Sequence, residues 1–151
     1  MKLAEALMLR ADIQKDLAWC KTQMVKGALV QEGERPGEDP NELVQRVEDR
    51  SAQLEALITR INEVNLVSRD GAGRSLTQLM ARRDMLRLKH GIYSDAHSEA
   101  TDRQSRYGAS EIKWKASFGA VEMRKRIEAI AAELRSLNVT IQQMNWSVEI
   151  G

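Results

Sequence analysis

The sequence predicts a mainly α protein. Four long helices form two antiparallel hairpins, bundle-like and coiled-coil-like, with a small β-ribbon at one end. Three observations carry this. First, three stretches place residues at alternating three- and four-residue spacing: Met123, Ile127, Ile130, Leu134, Leu137, Ile141 and Met144; Val44, Val47, Ser51, Leu54, Ile58, Ile61 and Asn65; Leu3, Ala6, Arg10, Ile13, Leu17, Cys20 and Met24. That spacing makes a narrow stripe on one helix face, the seam of bundles and coiled coils. Second, one Phe, two Tyr and three Trp stand against 30% charged residues, which suits long helices with much surface. Third, capping residues and helix breakers fall between the stretches, where hairpin turns belong.

The first helix should run from about residue 2 to 26 and stop near Gly27. Residues 28–31 read as a short extended piece, and EGERPGED (32–39) as a loop. Asp39 then caps the second helix, Pro40 takes its first position, and Glu42 sits three residues after the cap. This helix should end near Val67, before the turn Asp70-Gly-Ala-Gly. Ser75 with Gln78 forms a capping box for the third helix, expected to about residue 103 with a weak point at Gly91. This helix carries two apolar lines. One is Leu79, Leu86 and Tyr93; the other is Ala81, Met85, Leu88, Ile92 and Ala96. Two lines imply two neighbours.

EIKWKASF (111–118) alternates strictly and reads as a half-buried strand, with Trp114 on the apolar face as a core residue. The fourth helix should span about residues 121–145, and the tail from Trp146 to Ile150 reads as a short strand. In an antiparallel arrangement the two inter-helix strands meet at one end and pair as the ribbon. The C-terminal strand lies at the other end, so its partner would be another subunit or none.

Several segments together resemble the septicolysin-like family of small bacterial proteins of unknown function, frequent in actinobacteria. They are MKLAEALMLRADIQKDL at the start, VQEGERPGEDP before the second helix, LMARRD at 79–84, SEIK at 110–113 and QMNW at 143–146. The resemblance covers essentially the whole chain. It implies a helical fold and a homo-oligomer, a hexamer among the candidate assemblies. The family name evokes a thiol-activated cytolysin, but the sequence has no signal peptide, long amphipathic β-hairpin or Trp-rich membrane-binding loop to match it, and the family brings no catalytic residues.

Composition narrows the function classes. Net charge is +1, so no global field draws the chain to nucleic acid or anionic membranes. A single cysteine forms no internal disulfide and suits a reducing compartment. Glu5, Arg10 and Asp12 interrupt the run that a signal peptide needs, which predicts no export and a cytoplasmic location. No segment nears the ~20 apolar residues of a membrane span. The chain reads as a single helical domain over residues 1–151, without cofactor or metal.

The candidate residues are few. His90 and His97 lie seven apart, about 10 Å along a helix and too far for one metal within a chain. Asp70-Gly-Ala-Gly-Arg-Ser75 is Gly-rich and precedes a helix, but lacks the lysine and strand of a phosphate loop. Cys20 sits in a seam as a small hydrophobe. Arg82, Arg83, Arg87 and Lys89 make the third helix basic, and the entrance to the second helix is acidic. The bland account is charge pairing within or between subunits; the sharper one is a stripe for nucleic-acid phosphates. Asn65 interrupts an apolar line, as polar residues that fix register and oligomer state do. Trp146 is expected at a subunit contact. The expected role is non-enzymatic self-assembly, with nucleic-acid binding and membrane activity as alternatives.

Overall fold

The computed structural model describes residues 1–106 and 113–151, with the side chains of 103–106 outside the description. Among the described residues four helices run in order: α1 (Leu3–Lys26), α2 (Pro40–Val67), α3 (Leu76–Arg106) and α4 (Ala120–Ser147). The chain divides into two compact units. One holds Met1–Ser68 and Met144–Gly151, the other Arg69–Gln143.

In the first unit α1 packs on α2 as an antiparallel pair. Asp39 caps α2 by accepting the Asn41 N–H at 2.8 Å, with Pro40 at the first helical position. At the end of α1 the Gly27 N–H donates to the Gln23 carbonyl at 2.9 Å. A Cβ at Gly27 would lie 2.9 Å from the Pro36 Cβ, so the returning loop demands a glycine there. Leu3, Ala6, Ile13 and Cys20 are buried along the predicted α1 seam, while Met24 is exposed.

The α2 seam shares Val47, Leu54, Ile61 and Asn65 with the predicted line and departs from it by one residue at Leu43, Arg50 and Leu57. Leu43, Leu57 and Ile61 are buried and Val47, Arg50 and Leu54 half-buried, whereas Val44 and Ser51 face solvent. Both lines keep the same spacing. Burying Leu43 removes more apolar surface than burying Val44 would, and Ile58 stays half-buried beside Leu57.

Residues 28–29 bend and 30–31 are irregular, as are 113–118. The expected β-ribbon is therefore corrected: among the described residues there are two isolated bridges and no strand. Glu111 and Ile112 of the expected strand lie outside the described residues. Alternation permits a strand but does not make one, since an isolated two-stranded ribbon is marginal in water.

The tail is also corrected. Trp146 and Ser147 end α4, and Glu149 bridges antiparallel to Lys2. The Leu3 N–H donates to the Val148 carbonyl at 3.0 Å, and the Ile150 N–H to the Met1 carbonyl at 2.9 Å. The partner is the extended pair of residues ahead of α1, within the same chain. A Lys2–Glu149 ion pair at 2.9 Å closes the contact, and Ile150 is buried.

In the second unit Asp70 holds the turn before α3. Its Oδ1 accepts the Ala72 and Arg74 N–H groups at 3.0 and 2.8 Å, and its Oδ2 accepts the Arg74 guanidinium at 2.8 Å. These bonds, the Arg74 N–H first, hold the carboxyl below its ordinary value of 3.8. Gly73, at φ 81°, supplies the left-handed residue of the turn. The predicted capping box opens α3. The Ser75 N–H donates to Gln78 Oε1 at 2.8 Å, and the Gln78 N–H to Ser75 Oγ at 3.2 Å. Leu76, Leu79 and Leu86 bury one face of α3, and Ile130, Leu137 and Ile141 bury the seam of α4. An Arg82–Glu133 ion pair at 2.8 Å and Arg126 over the Tyr93 ring at 5.9 Å join the two helices in antiparallel sense.

Candidate interaction surface

The two apolar lines of α3 meet different fates. Leu79 and Leu86 are buried, with Tyr93 half-buried below them. On the second line Met85, Leu88 and Ile92 remain 53%, 56% and 56% exposed. Ala81 is exposed and Ala96 half-buried at its ends. The line runs about 22 Å along the helix. An amphipathic helix normally turns such residues inward, so a continuous uncovered row is a candidate interaction surface.

Ala96 also belongs to an open cleft of about 340 Å³. Its walls are Ala96 and Ala100 of α3 with Trp114, Ala116 and Phe118 of the segment leading into α4; Glu99, Lys115 and Ser117 bring polar groups. Trp114 is 55% exposed, which corrects its assignment to the core. Without a strand at 113–118 there is no sheet face to press the ring inward. The row and the cleft form one apolar surface on the second unit.

The basic residues do not form one patch. Arg82 pairs with Glu133 at 2.8 Å and Arg83 with Asp84 at 3.1 Å. Arg87 and Lys89 are exposed, but helical geometry sets Arg82 with Lys89 on one flank of α3 and Arg83 with Arg87 on another. A phosphate backbone needs cations along one track.

Of the other singled-out residues, Cys20, Asn65 and Trp146 belong to the first unit and the histidines and the Gly-rich turn to the second. Cys20 is fully buried on the α1 seam. Asn65 is buried near the end of α2, as is Asn145 near the end of α4. Trp146 leaves 55% of its surface exposed on the first unit, available for a contact. His90 Nδ1 lies 3.4 Å from Ser94 Oγ, and both histidines are half-buried. Among the described residues no three His, Cys, Asp or Glu side chains come together to hold a metal ion. The Gly-rich turn directs two of its N–H groups at its own Asp70.

A cluster that the sequence reading missed joins α1 to α2. Asp16 accepts from Arg46 through both carboxylate oxygens and from Arg50 Nε at 2.9 Å. Arg46 also lies 4.9 Å from the Trp19 ring centre. The Arg46 hydrogen bond, partly opposed by burial, holds the Asp16 carboxyl below its ordinary value. One signal was present: Asp16 and Arg50 border or occupy seam positions with opposite charge. The cluster braces the helix pair.

Comparison with known proteins adds kinship without chemistry. No curated protein matches the chain. Its structure matches the crystal structure of a functionally unknown conserved protein from Corynebacterium diphtheriae at a TM-score of 0.93 and 38% identity, over 100% of this chain and 99% of that one. Neither this likeness nor the family match carries the septicolysin name. No helix of the described residues is long and apolar enough to cross a membrane. The chain matches a family of unknown function, DUF6847, over residues 10–150, and belongs to it.

Proposed function

We propose that this is a non-enzymatic, self-assembling helical protein of the bacterial cytoplasm, and that it associates through the uncovered face of α3. One observation carries the reading: Met85, Leu88 and Ile92 stay more than half exposed in a row that ends at the Trp114 cleft. Burying such a surface against another is favourable in proportion to the apolar area removed from water. Asn65 would set register, and the exposed ring of Trp146 would add a second contact.

Nucleic-acid binding through α3 is the weaker alternative, since two of its four cations already face carboxylates within the chain. A membrane-active role has only the resemblance behind it. Light scattering after size exclusion, with absorbance at two wavelengths, tests the proposal. A discrete oligomer free of nucleic acid supports it. A monomer at all concentrations overturns it, and a nucleic-acid-laden peak lost steeply with salt favours the alternative.

A further inference from the structure

The charges beside the α3 row say how a second copy would lie on it. Ala81, Met85, Leu88 and Ile92 follow four-, three-, four-residue spacing, which makes Met85 and Ile92 a positions and Ala81 and Leu88 d positions of a heptad pattern. Arg82 and Lys89 then occupy e positions, and Asp84 and Gly91 occupy g positions. Asp95 and Glu99 continue the same face with charge, so the apolar contact ends after Ile92.

Two orientations give different charge pairings. When like helices run parallel, each g residue faces the e residue five positions later on its neighbour. Asp84 of each copy then faces Lys89 of the other, two attractive pairs, while Arg82 faces the neutral Thr77. In the antiparallel arrangement e faces e and g faces g. Arg82 of each copy, its charge shared with Glu133 of its own chain, then meets Lys89 of the other without any attractive partner for Lys89, and Asp84 meets Gly91. Both Asp84 and Lys89 are exposed in the single chain, and the Asp84 carboxylate, bonded to Arg83 at 3.1 Å, keeps more than half of its surface in water for a second cation.

We infer that α3 pairs in parallel with α3 of a second copy of this chain. The row Ala81–Met85–Leu88–Ile92 forms the seam, and Asp84 of each copy faces Lys89 of the other. The inference rests on the self-assembly reading and adds the occupant and its orientation.

The test is a charge-swap series followed by sedimentation equilibrium, with circular dichroism to confirm folding. Asp84→Lys or Lys89→Asp alone turns two attractive pairs into two repulsive ones and weakens association about tenfold. The double variant restores it. Lys89→Asp in the antiparallel arrangement would face Arg82 and tighten association. A second measurement is independent of charge: Met85→Cys should form a disulfide-linked dimer on mild oxidation, because parallel pairing sets position 85 against itself. Buried Cys20 makes the unsubstituted protein the control. An oligomer in which Lys89→Asp tightens association, or in which neither charge swap nor cross-link has an effect, overturns the parallel pairing and leaves self-assembly standing. A monomeric unsubstituted protein overturns both.

Discussion

Leu88 and Leu86 lie two residues apart on α3 and should fail in different assays. Leu88 is 56% exposed and Leu86 1% exposed. Fully burying a leucine is worth about 1.5–3 kcal/mol, so roughly 1 kcal/mol remains for Leu88 to gain when a second chain covers it. A symmetric dimer counts that gain twice, for about 2 kcal/mol. At 1.4 kcal/mol per factor of ten, Leu88→Ser should raise the dimer dissociation constant about thirtyfold. Within the single chain it should alter folding stability by less than ~0.5 kcal/mol, as surface changes do. Leu86→Ala leaves a cavity and should cost about 2–5 kcal/mol of folding stability. The assay pairs sedimentation equilibrium with urea unfolding at a dilution where the chain is monomeric. Equal destabilisation by both changes would mean that Leu88 is covered within the chain. Unchanged association of Leu88→Ser would remove the α3 row from the interface.

Three further outcomes check other parts of the account. Asp39→Ala should lower stability by about 1 kcal/mol in urea, because the Asn41 N–H loses its acceptor. Asp16→Asn probes the brace between α1 and α2. Asp16 is held below its ordinary 3.8 chiefly by the Arg46 hydrogen bond, so its stabilisation is complete above that value and is lost as pH falls through the lower folded-state value. The gap in urea midpoint between wild type and variant should be open at about pH 7 and close in strong acid; an equal gap at both would refute the ionic account. Asn65→Leu should leave the chain folded but broaden its distribution of oligomers, since a buried polar residue that fixes register is lost. Native mass spectra identical to wild type would dismiss that role.

What the sequence disclosed divides along physical lines. Helix ends were legible because caps are local: Asp39 with Pro40 and Ser75 with Gln78 each act within three residues. The α4 seam was legible in full, since each of its seven positions is buried or half-buried. The α2 seam was legible at Val47, Leu54, Ile61 and Asn65 and displaced by one residue at Leu43, Arg50 and Leu57, because two lines share one period and only packing against α1 chooses between them. The Asp16 brace joins residues 30 and 34 positions apart, which no local pattern encodes. The bridge between Lys2 and Glu149 was missed for the same reason. The strand at 111–118 rested on alternation alone, and Trp114 was assigned to the core as a consequence. The α3 surface was half legible: the second apolar line was visible, but its exposure required the fold.

Methionine oxidation tests the central claim, that the α3 row is buried by self-association. Met8 of α1 and Met85 of α3 are 51% and 53% exposed in the single chain, so peroxide should oxidise them at about equal rates in a monomer. Peptide mass analysis can follow both residues across a dilution series. The account predicts that Met85 is several-fold slower than Met8 at high protein concentration and equal to it at low concentration. Equal rates at every concentration at which the protein is oligomeric would place the interface elsewhere and contradict the account.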